Sequence, residues 1–141
     1  MGLCSSIRSR GVVQESEGAA TQEQAHRRKF MLIFRGGAVS RDDISPSELQ
    51  AHVAKWYAWS DELVRQGRRN VGTPLDNPGA TVRGQDRVVT DGPYAESKDL
   101  VTGSMVIEAV SLEDAVEVAR TCPTYEFGGS VEVRPVQDHR I

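Results

Sequence analysis

Arg28 to Arg35 reads RKFMLIFR, five apolar residues in unbroken succession between basic ends. A run of this length and composition predicts a strand buried on both faces. Downstream, Ser45-Pro46-Ser47-Glu48 supplies an N-cap, a proline at the first helical position and a glutamate at the third, the pattern of a capping box. The helix that starts there carries Leu49, Val53, Trp56, Leu63 and Val64 at three- and four-residue steps, and Gly67 offers its stop.

Val71 to Leu75 reads as a short strand. Thr81-Val82-Arg83 and Arg87-Val88-Val89-Thr90 flank Gly84-Gln85-Asp86, the composition of a hairpin turn between two small strands. Leu100 to Val110 is a longer strand, in which Gly103 marks a bulge or a close backbone approach. Ser111 caps a second helix with Glu113 and Asp114 in its first turn, where the macrodipole favours negative charge. Leu112, Ala115, Val116 and Ala119 form its expected buried stripe, Pro123 its end, and Ser130 to Pro135 a last strand alternating apolar and charged residues.

The order β, α, β, hairpin, β, α, β is that of a ferredoxin-like α+β domain of the dimeric barrel type, with an inserted β-hairpin and two helices on one face of an antiparallel sheet. In that layout the helices cover one sheet face only, so a strand apolar on both sides, Phe30, Leu32 and Phe34 against Met31 and Ile33, needs a second cover. A sheet from a second copy is the economical one, so a homodimer is expected.

The chain has 141 residues, 38% hydrophobic and 26% charged, enough for one domain that builds a core without disulfides or metal. Residues 1–28 are expected to be a disordered tail and 29–138 the domain. From Met1 to Lys29 no apolar period is sustained, and five basic residues face three glutamates. The remainder carries twelve basic against seventeen acidic residues, a balance that argues against a phosphate-backbone partner such as nucleic acid. No apolar run approaches the roughly 18 residues of a membrane span, and the start lacks the apolar middle of a secretory signal, so a cytoplasmic protein is expected. Met1-Gly2-Leu3-Cys4-Ser5-Ser6 matches the N-myristoylation pattern at Gly2 with Cys4 open to palmitoylation; a plain tail or an extended reading frame is the competing account.

Cys4 and Cys122 show neither a disulfide framework nor a ligand spacing. Cys122 reads as a buried small residue, since no neighbouring base lowers its pKa. Histidines at positions 26, 52 and 139 are too scattered for a metal site, and no cofactor is called for.

Between hairpin and third main strand lies Thr90-Asp91-Gly92-Pro93-Tyr94-Ala95-Glu96-Ser97-Lys98. It resembles the signature of the DGPF subgroup of the YCII-related domain family, whose usual text is close to DGPFAETKE. Tyr94 stands in place of the Phe, Ser97 of the Thr and Asp99 of the final Glu. The resemblance extends over Lys29 to Val136, through the FMLIFRGG opening, the tryptophan-containing first helix, the CP after the second helix and the GGSVEVRPV ending.

The resemblance implies a ferredoxin-like fold dimerising through its sheets, with one cleft per subunit. It implies little about activity: related dimeric barrels include small isomerases and dechlorinating lyases, and subgroup members are often encoded beside extracytoplasmic-function sigma factors. The wider family's suspected site is a histidine and aspartate pair. His52 matches the histidine, but Cys122 stands before Pro123 where the aspartate is expected, so the pair is broken there, and Asp91 is the candidate substitute.

His52 has two readings. It is a boundary residue packed against Trp56 and Trp59, or a cleft-lining imidazole able to exchange a proton near neutral pH. Asp91-Gly92-Pro93 is accounted for by turn geometry. Tyr94, Glu96 and Lys98, at a period of two, would face one side of an extended chain as substrate-binding groups, with a Glu96–Lys98 ion pair as the alternative. Arg35 is a candidate for holding an anion. Two functions follow: a dimer binding a small anionic or carbonyl-containing molecule, as a cofactor-free proton-transferring isomerase or lyase with His52 and Asp91 catalytic, or a non-enzymatic accessory or regulatory protein.

Overall fold

The predicted first strand is found at the predicted residues. In a computed structural model that describes residues 26–37, 42–76, 78–92 and 98–138, β1 spans Arg28–Arg35. It lies between β5 (Val101–Ala109) and β6 (Ser130–Pro135), antiparallel to both. With β2 (Arg69–Pro74) on the other side of β5, the order is β2-β5-β1-β6. Two helices, α1 (Pro46–Arg65) and α2 (Leu112–Arg120), complete the ferredoxin-like α+β arrangement. β3 (Ala80–Arg83) and β4 (Val88–Asp91) form a two-stranded sheet in the connection from β2 to β5. The expectations for residues 1–25, including Gly2 and Cys4, and for Tyr94 and Glu96 lie outside the described residues.

Register places the core on one sheet face. Phe30 is opposite Ile107 and Leu32 opposite Met105, while Val133 and Val131 stand across from Leu32 and Phe34 on β6. These side chains pack with Trp59 and Leu63 of α1 and with Ala115, Val118 and Ala119 of α2. The other face is apolar along one row: Val71, Val106 and Met31 are register partners across three strands. Met31 and Val106 are half-buried and Val71 is 57% exposed in the single chain. Thus β1 is closed on one side only.

Ser45 Oγ accepts the Glu48 backbone N–H at 3.2 Å, and Ser111 Oγ accepts that of Asp114 at 3.1 Å, so both caps form where they are expected. The stripes are displaced. On α1 the buried residues are His52, Trp59 and Leu63 with Trp56 half-buried, whereas Val53 and Val64 are 41% and 53% exposed. Steps of four, three and four keep 52, 56, 59 and 63 on one side, and a residue one position on points about 100° away. On α2 Val118 joins Ala115 and Ala119, and Leu112 is exposed.

Pro123 does more than stop a helix. α2 ends at Arg120, and Pro123 opens a 3-10 turn, Pro123–Phe127, because a proline suits the first position of a helical turn as well as it blocks a preceding one.

Arg68 ties the start of β2 to α2. Its guanidinium donates to Asp114 Oδ2 at 2.9 Å and Oδ1 at 3.4 Å, with both side chains at most one-quarter exposed. Hydrogen bonding from Arg68, helped by the Val110 N–H and opposed by burial, holds the Asp114 carboxyl below its ordinary pKa. A depressed carboxylate stabilises the fold above its unfolded pKa and loses that contribution as pH falls through the folded value. Asp114→Asn is expected to cost about 2 kcal/mol at pH 7, the scale of a hydrogen bond to a charged group. Urea titrations of both proteins should converge as pH drops below about 4; a constant gap would remove the ion pair as its cause.

Candidate functional site

α1 carries His52 on its buried side, 7% exposed, one turn before Trp56. The Trp56 indole Nε1–H donates to His52 Nε2 at 3.0 Å. That nitrogen therefore holds a lone pair, and the ring proton belongs on Nδ1, which lies 3.3 Å from Glu126 Oε2. The other oxygen of Glu126 receives Lys55 Nζ. Lys55, and after it His52, lower the Glu126 pKa against a small opposing effect of burial. Phe127 closes the imidazole with an edge contact, centroids 4.5 Å apart.

Glu126 is the residue that sequence reasoning missed. It lies on the turn opened by Pro123, four positions after the cysteine that occupies the place expected for an acid. Cys-Pro-Thr-Tyr-Glu-Phe held the signal: a proline able to begin a helical turn brings the residue three later back over it. Cys122 itself is buried, and burial pushes its thiol up to about 12, with a backbone hydrogen bond at Thr124 opposing. It is not a nucleophile in this setting.

A cavity of about 520 Å³ opens between α1 and the β2–β5 side of the sheet. Trp56 and Phe34 give it aromatic walls, their rings edge-to-face at 5.3 Å. Val53 and Tyr57, exposed positions of α1, border it, and Met105 adds a thioether. Two glycines keep the space open. A Cβ on Gly103 would stand 2.9 Å from the Thr73 carbonyl oxygen, and one on Gly72 would stand 3.1 Å from Met105 Cε. Trp56 is the side chain shared by cavity and imidazole: it lines the first and bonds the second.

The other expected site residues are elsewhere. Asp91 ends β4, exposed and opposite Ala80, and the carboxylate that meets His52 is that of Glu126. Arg35 donates to the Asp99 carbonyl at 3.1 Å and to Glu132 Oε1 at 3.4 Å. It alternates with the core residue Phe34 and so lies toward the opposite sheet face. Lys98 is exposed, its backbone close to Gly36, and does not line the cavity. Among the described residues, no cluster of three or more His, Cys, Asp or Glu could hold a metal ion. No helix among them is long and apolar enough to cross a membrane.

Comparison with known proteins agrees with this architecture. Over 52 residues the chain is 38% identical to an uncharacterised protein of Rhizobium meliloti (strain 1021), a match covering 36% of this chain and 42% of that protein. The chain thus spans less than half the length of this curated relative. The model of the YCII-related domain matches residues 29–140. With strand order, helices and family match in accord, the chain belongs to the YCII-related domain family.

Proposed function

We propose that this protein, a member of the DGPF subgroup, works as a cytoplasmic homodimer that binds a small organic molecule in the cavity beside Trp56. The observation that carries the reading is the cavity itself. Its roughly 520 Å³ falls within the range of small-molecule sites, and its walls combine aromatic surface with a few polar groups. The Val71–Val106–Met31 row supports the dimer, since a second sheet laid on it removes that apolar surface from water.

In this arrangement His52 is a positioning residue. Both ring nitrogens are engaged, one by Glu126 and one by Trp56, so the imidazole fixes the indole plane that a ligand would stack against. Proton transfer is the second reading, favoured by the Glu126–His52 pair. A ligand that displaces the Trp56 N–H would free Nε2 as a base, while Glu126 stabilises the proton left on Nδ1. That reading carries the isomerase or lyase chemistry, with Glu126 in the orienting role considered for Asp91. A regulatory binder uses the same cavity without turnover.

Ser60 borders the cavity without belonging to the core, so Ser60→Phe is expected to fill it and leave the fold intact. Calorimetric titration with naphthalene-sized compounds should show binding to wild type and at least a tenfold loss in Ser60→Phe. His52→Gln should weaken binding several-fold. Unchanged affinity in Ser60→Phe would place the ligand elsewhere.

A further inference from the structure

Among the described residues, the cavity wall holds one charge and no acidic side chain to neutralise it: Arg69, the first residue of β2. Among the described residues its guanidinium has no hydrogen-bond or ion-pair partner, although most arginines around it do. Arg68 is bidentate on Asp114, Arg65 pairs with Glu62, and Arg27 donates to the Gln66 carbonyl.

Gly72 explains where that guanidinium sits. The position a Cβ of Gly72 would take is 3.2 Å from Arg69 Nη2 and 3.6 Å from Nε. The cation therefore lies over bare backbone, beside Met105 Cε, which stands 3.1 Å from the same point. A planar fork of N–H donors at the border of apolar walls is the arrangement that receives a carboxylate or another planar oxyanion in two parallel hydrogen bonds. Low-dielectric walls strengthen that attraction relative to open water. Ser60 and Ser104, both half-buried and lining the cavity, add hydroxyls.

We propose that the ligand is an amphipathic monoanion: an aromatic or alicyclic body held against Trp56 and Phe34, with one carboxylate-like group bound by Arg69. This rests on the cavity reading above and names its ligand class. Arg69 thereby takes the anion-holding part for which Arg35 is the candidate in sequence, because Arg35 is engaged by Asp99 and Glu132.

The test uses a matched pair of probes, 2-naphthoate and 2-naphthamide, equal in ring surface and different in charge. Isothermal titration at low salt should give wild-type affinity for the naphthoate at least tenfold above that for the amide. Arg69→Met keeps the apolar stem and is expected to abolish the preference while leaving amide binding within about twofold; Arg69→Lys should retain part of it. Equal binding of both probes to wild type overturns the anion assignment and leaves the cavity reading standing. So does a preference that survives in Arg69→Met. Failure of both probes to bind overturns the cavity reading and this proposal with it.

Discussion

Trp59→Ala is expected to lower the unfolding free energy by about 3–5 kcal/mol, the cost of emptying a buried aromatic site. Trp59 is 9% exposed and sits edge-to-face with both Phe34, at 6.3 Å, and Trp56, at 5.7 Å. It is thus the residue through which α1 grips the centre of the sheet. Its indole N–H also reaches Thr121 Oγ1 at 2.8 Å, joining α1 to the end of α2. Urea unfolding followed by circular dichroism, at one fixed protein concentration because the stability of the proposed dimer would depend on it, should show a lower midpoint at unchanged slope. Trp59→Phe should cost less, about 2 kcal/mol, because one aromatic ring is kept and the loss is confined to the remaining indole volume and the bond to the exposed Thr121. If the alanine variant lost less than 1 kcal/mol, α1 would not depend on this contact, and the support of Trp56 would have to come from His52 and Phe34.

Gly129→Ala should be nearly as damaging for a different reason. A Cβ there would stand 2.1 Å from Thr124 Oγ1 and 2.8 Å from the Thr124 carbonyl oxygen, and Thr124 is only 2% exposed. The methyl has nowhere to go. Overpacking of this kind costs about 3 kcal/mol, because the 3-10 turn that bears Glu126 must move as a unit. The segment just after β1 meets the same point: Gly37, at φ +68°, would place a Cβ 2.6 Å from Thr124 Oγ1. The double variant Gly129→Ala/Thr124→Ala relieves the hydroxyl clash but not the carbonyl one, so partial recovery is expected in a double-mutant cycle. Strictly additive losses would mean that the two residues do not press on one another.

These two sites also separate what was legible from what was not. The strand at Arg28–Arg35 and the caps at Ser45 and Ser111 are local statements. Each depends on the residues within one turn or one strand, and each appears where the sequence predicts it. The helix stripes were legible only in part. Val53 and Val64 are apolar and correctly spaced, yet a helix buries the side its neighbours accept, and here that side runs through His52 and Trp59. Hydropathy ranks a valine above a histidine, but it cannot see that Trp56 and Glu126 satisfy the imidazole.

The sequence by itself determined the element order, the helix starts and the family. Alternation, capping residues and turn residues act over a few positions, so their outcome does not wait on the rest of the chain. The tertiary structure decided the site. Glu126 reaches His52 across 74 positions, and Arg69 meets the cavity because β2 pairs with β5. Such meetings are set by how strands pair and where a helix lies on them, which places side chains together whatever their distance along the chain. His52 was therefore readable as a residue of interest, while its partner, its proton and its distance from the candidate anion site belong to the fold.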